Sequence, residues 1–270
     1  LPATDLPLLI DAALEAGRIA TRYSGRTAQR WDKPGDAGPV TEADLAVNTM
    51  LEDRLPGARP GYGWLSEETE DSTDRLACER VFIVDPIDGT RSFAEGSRTW
   101  AHSLAVAQGG IVTAAVIYLP QRDLLYAAAT GQGATLNGEP IKVSQKATLA
   151  EAEILAAKPN LDPRHWRQGS APDFARAYRP SLAYRMALVG QGRFDGMLTL
   201  RPSWEWDIAA GDLILREALG RCTDRTGQPL RFNNPHPRLN GIVAAGTRVH
   251  QQLSDALDPA GTGIPGTAKT

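Results

Sequence analysis

Cysteine is scarce: Cys78 and Cys222 are the only two in 270 residues. A disulfide framework is thereby excluded, and neither has a second Cys or a His at zinc-ligand spacing, so both read as packing residues. Long apolar runs are missing too. No uninterrupted stretch is long enough to cross a bilayer, which argues against membrane insertion, and residues 1 to 15 show no basic lead-in followed by an apolar core, which predicts a cytoplasmic protein. Neither sign of charge is in large excess, since 29 Lys and Arg stand against 32 Asp and Glu for a formal net charge of -3. Without a basic cluster or a groove-reading module, a nucleic acid polymer is excluded as partner. A small anionic substrate stays open, provided divalent cations neutralise any acidic pocket that it enters. Gly131-Gln132-Gly133 has no third glycine and no Lys-Ser/Thr after it, which removes dinucleotide and P-loop readings. There is no repeat at a fixed period.

What is present is an ordinary globular composition, 42% hydrophobic and 23% charged, at a length that suits one large α/β unit or two abutting halves. Leu6, Leu9, Ile10, Ala13, Leu14, Gly17 and Ala20 recur at helical spacing, with Asp5 as a cap. The Gly/Pro-broken segment from Trp31 to Pro39, which holds Lys33, predicts an irregular loop. A second helix starts near Val40, with Thr41 and Asp44 as a capping box. Strands are expected at 104 to 107, 111 to 118, 124 to 129 and 141 to 143, with a hairpin at Gly109-Gly110. The second half offers strands at 154 to 157, 194 to 200 and 241 to 245, and a helix over 181 to 189 with a second after Asp207. Gly220 is a C-cap candidate, and residues 159 to 180 have no assigned structure. The halves divide near Ser144, into 1–144 and 145–257, and the Gly, Pro and Thr of 258–270 predict a flexible tail.

One stretch concentrates chemistry. Val81 to Val84 reads as a buried strand that Pro86 ends, and Asp85 and Asp88 then flank the carbonyl of Ile87, so a short turn offers three hard oxygen ligands of the kind Mg²⁺ prefers. Gly89 lets the backbone approach a ligand closely, and Thr90 can begin a helix whose free N–H groups attract phosphate. A plainer reading also fits, with Asp88 capping that following helix. Trp64-Leu65-Ser66-Glu67-Glu68-Thr69 is either a second acidic block of the same site or the start of a solvated charge run through Asp74. Asp207-Ile208-Ala209-Ala210-Gly211 is either a third or a helix with Asp207 as its N-cap.

Together, Asp85-Pro86-Ile87-Asp88-Gly89-Thr90, the Glu67-Glu68 block, the Trp206-Asp207 block, and Asp44 preceded by Lys33 resemble the inositol monophosphatase family. These are Mg²⁺-dependent, lithium-sensitive phosphatases. The resemblance implies an α/β fold, a layered αβαβα sandwich with a mainly antiparallel N-terminal sheet and a mixed C-terminal one. It implies that Glu67, Asp85, Asp88, Asp207 and the Ile87 carbonyl hold Mg²⁺, with Asp44 serving a further ion, for about two to three ions in all. Glu67 and Thr90 would activate the attacking water, with Asp88 beside them. Asp88, Gly89, Thr90, Asp207, Lys33, Ser181 and Arg185 would contact substrate. Inositol phosphatases carry a Glu seven residues before the motif Asp, where this chain has Leu200. Pro180-Ser181-Leu182-Ala183-Tyr184-Arg185 is more similar to the bacterial 3′(2′),5′-bisphosphate nucleotidase branch, although Ala183 stands where that branch has a Lys. The implied reaction is hydrolysis of 3′-phosphoadenosine 5′-phosphate, with Trp204, Trp206 or Tyr184 stacking on adenine; inositol monophosphate or another small sugar phosphate is the alternative. A non-catalytic phosphate- or Mg²⁺-responsive protein is the reading from another class. Relatives are commonly dimers, so a homodimer is compatible with it. His102, His165, His236 and His250 fall in no motif and receive no role.

Overall fold

The computed structural model describes residues 5–23, 28–32 and 39–258. In chain order the elements are α1 (Asp5–Ala20), β1 (Arg30–Asp32), β2 (Pro39–Thr41), α2 (Glu42–Ala58), β3 (Gly63–Ser66), β4 (Arg80–Asp88), α3 (Thr90–Ala94), β5 (Ala101–Gln108), β6 (Ile111–Leu119), β7 (Leu124–Ala129), β8 (Ala134–Leu136) and β9 (Glu139–Ile141). The second half adds β10 (Glu153–Ala156), β11 (Ala175–Ala177), α4 (Leu182–Gly190), β12 (Gly196–Thr199), β13 (Ser203–Trp204), α5 (Glu205–Glu217), β14 (Gly220–Thr223), β15 (Arg238–Leu239), β16 (Ile242–Gly246) and α6 (Thr247–Ala256).

A seven-stranded sheet runs β3-β4-β5-β6-β7-β8-β9 and a five-stranded sheet runs β11-β10-β12-β16-β14. The first is antiparallel except for the β3–β4 pair. The second is mixed, parallel where β10 meets β11 and β12, antiparallel around β16. Alternation along β4 shows how the layers form. Phe82 and Val84 pack against Leu9, Ala13, Leu51 and Leu55 of α1 and α2. Val81 and Ile83 point to the opposite face, into the cluster holding Met186 of α4 and Leu213 and Ile214 of α5. The far side of α4 and α5 meets Leu155 and Met197 of the second sheet. The outer face of that sheet, with Ile154, Leu198 and Val243, is covered by Val249 and Leu253 of α6 and by Trp166. Five layers result, α, β, α, β, α, as the resemblance implies.

Some local expectations are corrected. The segment from Trp31 to Pro39 is not wholly irregular, because Arg30–Asp32 and Pro39–Thr41 pair as an antiparallel ribbon. Asp5 does not stand outside α1 as a cap; it is the first helical residue, buried, with Oδ1 accepting from Arg59 Nε at 3.0 Å and Oδ2 from the Tyr62 hydroxyl at 3.1 Å. Gly220 is not the C-cap of α5. Ala218 is, Leu219 takes the left-handed conformation at φ 67°, and Gly220 opens β14. A Cβ at Gly220 would meet Leu215 Cδ2 at 2.3 Å, so close packing explains this glycine. Between residues 159 and 180 the chain forms two short 3₁₀ turns and then β11, which pairs with β10. Lys33 and the tail beyond Asp258 lie outside the described residues.

Candidate active site

The strand β4 does not stop at Asp85. Its register with β5 runs from Arg80↔Gln108 to Asp85↔Ser103, slips, and resumes at Asp88↔Ala101. Pro86 has no N–H to donate, so the ladder breaks there and the chain bulges. His102 on β5 holds the bulge: its Nδ1 lies 2.5 Å from the Pro86 carbonyl. Burial pushes the pKa of this imidazole down to about 4, so the ring is neutral and its proton sits on the Nδ1 that donates. Gly89 follows at φ 96°, a left-handed turn that a side chain would strain. Thr90 opens α3.

The irregularity turns Asp85 and Asp88 toward Asp207 on the first turn of α5. One carboxylate oxygen from each lies within 4.8 Å of the other two. Asp85 and Asp88 are buried and Asp207 is half-buried. Burial first, and then neighbouring carboxylates, push the pKa of Asp85 and Asp207 well above the usual range. Burial raises Asp88 as well, against hydrogen bonds from Ser181 and Ala183 that favour its charge. Oδ1 of Asp85 is buried with no hydrogen-bond partner. Converging carboxylates with an orphaned buried oxygen match the all-oxygen donor set of a hard divalent cation, so these residues fit Mg²⁺.

Glu67 continues β3, its N–H donating to the Val84 carbonyl at 3.2 Å. Its charge acts on Asp85, Asp207 and Asp44, but its carboxylate is not one of the three that converge within 4.8 Å. Asp44 serves both readings at once. Its Oδ2 accepts from Thr41 N–H and Oγ1 at 2.8 and 2.5 Å, closing the capping box of α2. Its Oδ1 faces the Thr90 hydroxyl at 3.2 Å, and that hydroxyl also lies 3.1 Å from the Ile87 carbonyl. Burial raises the pKa of Asp44 to about 6. Thr90 is therefore bonded to Asp44 and Ile87, where the resemblance pairs it with Glu67.

Asp88 does cap a helix, though not the one that follows it. Its Oδ2 accepts from Ser181 Oγ and from the Ala183 N–H of α4, both at 2.6 Å, and Ser181 Oγ accepts from the Tyr184 N–H at 3.0 Å. Ser103 Oγ donates to the Trp206 carbonyl at 2.9 Å and fixes the start of α5. Arg185, one turn beyond Ser181, feels the charges of both Asp88 and Asp207. The aromatic platform expected for adenine is already occupied. Trp204 and Trp206 stack on each other at 4.7 Å and 11°, and the Arg238 guanidinium lies 4.7 Å from the Trp204 ring centre. Tyr184 is buried beneath Arg122. From the sequence His102 received no role and none was assigned to Ser103 or the Ala183 N–H, and no local pattern marks them.

Raised carboxylate pKa values set a pH dependence for the metal-free protein. Such groups bind protons more tightly folded than unfolded, so their stabilising contribution is full below the unfolded value of about 4. It is lost as pH rises, for Asp44 through about 6 and for Asp85 and Asp207 over a higher range. The melting temperature without metal should thus fall between about pH 5 and pH 8, and Mg²⁺ should remove most of the fall by binding only the folded state. A pH-independent melting temperature that Mg²⁺ leaves unmoved would contradict this.

The model of the inositol monophosphatase family matches residues 3–259. This chain belongs to that family. The inositol-1-monophosphatase of Mesorhizobium japonicum is 34% identical over 267 residues, covering 92% of this chain and 93% of that protein. The histidinol-phosphatase of Mycobacterium tuberculosis is 34% identical over 251 residues, covering 88% and 94%. The crystal structure of extragenic suppressor protein suhB from Bartonella henselae superposes with a TM-score of 0.79 at 31% identity, over 95% of this chain and 99% of that one. As a member of this family the chain is a phosphoric monoester hydrolase, and its carboxylate cluster agrees with the general Mg²⁺ dependence of the family. Neither enzyme compared here is named a nucleotidase, so the branch implied by Ser181 to Arg185 has no support from these relatives. Among the described residues no helix is long and apolar enough to cross a membrane.

Proposed function

We propose that this inositol monophosphatase family member hydrolyses a small phosphomonoester by direct in-line attack of water, without a phosphoenzyme. The observation that carries the reading is the meeting of Asp85, Asp88 and Asp207, together with the buried Asp85 Oδ1 that has no hydrogen-bond partner. Mg²⁺, when held by these residues, by Glu67 and by the Ile87 carbonyl, supplies the positive charge that offsets carboxylate repulsion and stabilises a leaving alkoxide. The chain's own groups handle the water. The Thr90 hydroxyl orients it, and Asp44 Oδ1, with a pKa near 6 and within 3.2 Å of Thr90 Oγ1, can take up the proton released through that hydroxyl. Glu67 is the second carboxylate, which positions the water and serves as a base toward it. Inhibition by Li⁺ belongs to the same reading.

Two substrate readings follow. Inositol 1-phosphate is supported by the Mesorhizobium relative's name. The nucleotide reading, 3′-phosphoadenosine 5′-phosphate, loses its stacking platform but has Arg185 beside the cluster in its favour. Leu200 is buried and lies in the apolar cluster under α6, so it offers a substrate hydroxyl nothing. Purified protein should be given inositol 1-phosphate, 3′-phosphoadenosine 5′-phosphate and fructose 1,6-bisphosphate with and without Mg²⁺ and Li⁺. Phosphate release that needs Mg²⁺ is expected from at least one of them. No release from any would overturn the reading.

A further inference from the structure

Among the described residues two arginines are almost fully buried, and they are satisfied very differently. Arg75, 2% exposed, places its guanidinium on both Asp71 oxygens, on Asn233 Oδ1 and on the Asn234 carbonyl. Four of its five N–H groups are thereby used, as befits a structural arginine. Arg185 is 7% exposed and differs in every respect. Side chains on a helix lean back toward its N-terminus, and Arg185 does so: its Nε is 3.4 Å from the Ser181 carbonyl, and its guanidinium carbon is 5.6 Å from the centre of the Tyr178 ring. Among the described residues its terminal nitrogens have no acceptor and no carboxylate stands within ion-pair distance of it. Nor are those nitrogens sealed off, since they are not among the occluded unsatisfied atoms. Ser181, whose carbonyl the Nε approaches, bonds Asp88 through its Oγ at 2.6 Å, which sets the guanidinium next to the carboxylate cluster.

A guanidinium taken out of water and left without acceptors is unfavourable unless a ligand supplies them. Arg201, exposed on the segment between β12 and β13, adds a second positive charge that both Arg185 and Asp207 feel. Two cations whose charge reaches the carboxylate cluster would repel a cationic leaving group and attract an anionic one. The fork of a guanidinium matches two oxygens of a phosphate. We propose that Arg185, with Arg201 at the rim, forms an anion subsite for the leaving group, so that the preferred substrate is a bisphosphate whose second phosphate is bound here and is not cleaved.

This rests on the phosphomonoesterase reading, and the test separates the two. Matched pairs differing only in the second phosphate should be compared by kcat/KM: 3′-phosphoadenosine 5′-phosphate against adenosine 3′-phosphate, and inositol 1,4-bisphosphate against inositol 1-phosphate. At least one bisphosphate should be favoured by about tenfold or more, mainly through KM, the scale of one charge-assisted pair. Histidinol phosphate, with a cationic leaving group, should be poor. Arg185→Gln should bring the ratio of the preferred pair to near one, Arg185→Lys should keep part of it, and melting temperatures should verify that both variants fold. A ratio near one in the unaltered protein, or a ratio that survives Arg185→Gln, would overturn the subsite; so would an equal loss on both members of the pair, which would place Arg185 on the cleaved phosphate. If no ester is hydrolysed, the phosphatase reading fails, and calorimetric affinities of the same pairs then decide the subsite. Tighter binding of a bisphosphate that Arg185→Gln abolishes supports it, and equal binding overturns it.

Discussion

Glu67→Gln should lower kcat roughly 10²- to 10⁴-fold, the range for losing a positioned base, and leave the fold intact. The backbone of Glu67 is fixed by its N–H bond to Val84, which the substitution does not touch. Its side chain is half-buried at the end of β3, and glutamine fills the same volume. What changes is charge. Glu67 raises the pKa of Asp85, Asp207 and Asp44, so its neutralisation relieves repulsion and should not destabilise the metal-free protein. Activity falls while stability holds, a separation that no packing defect would give. Turnover near normal at saturating Mg²⁺ would remove Glu67 from the reaction.

Thr90→Val is the second large effect. Valine keeps the branched shape and deletes the hydroxyl that sits between Asp44 and Ile87. A loss of kcat on the order of 10²-fold is expected, the lower end of general-base contributions. Some stability should go as well, about 1–3 kcal/mol, because Asp44 Oδ1 is left buried without its donor. Thr90→Ser restores the hydroxyl and should recover most of the turnover without the missing methyl mattering. Kinetics per folded molecule, with the folded fraction taken from calorimetry, distinguishes this from a structural role. If Thr90→Val turned over normally once folding is accounted for, the Asp44–Thr90 proton path would be wrong.

How much of this site was legible beforehand follows from the range over which each pattern acts. The capping box of Thr41 and Asp44 spans four residues, and the turn from Asp85 to Thr90 spans six, so both could be read locally. The apolar run of Val81 to Val84 marked the strand for the same reason. The strand's continuation past Asp85 could not be read, since it depends on β5 resuming its register at Ala101. The partner of Asp88 could not either: Ser181 is 93 residues away, and only the placing of α4 against the first sheet brings them together. His102 looked like any histidine in a strand until the Pro86 carbonyl arrived beside it. Trp204 and Trp206 show the converse. The resemblance to nucleotidases suggested them as a surface for a base, whereas the chain itself supplies the stacking partners.

The central claim is that Asp85, Asp88 and Asp207 together bind Mg²⁺, and calorimetric titration of Mg²⁺ into the unaltered protein and into Asp207→Asn tests it without any assumption about substrate. The account predicts saturable binding that Asp207→Asn strongly weakens, with a rise in melting temperature on adding Mg²⁺ that the variant largely loses. Absence of binding in the unaltered protein, or the same affinity in both, would contradict it.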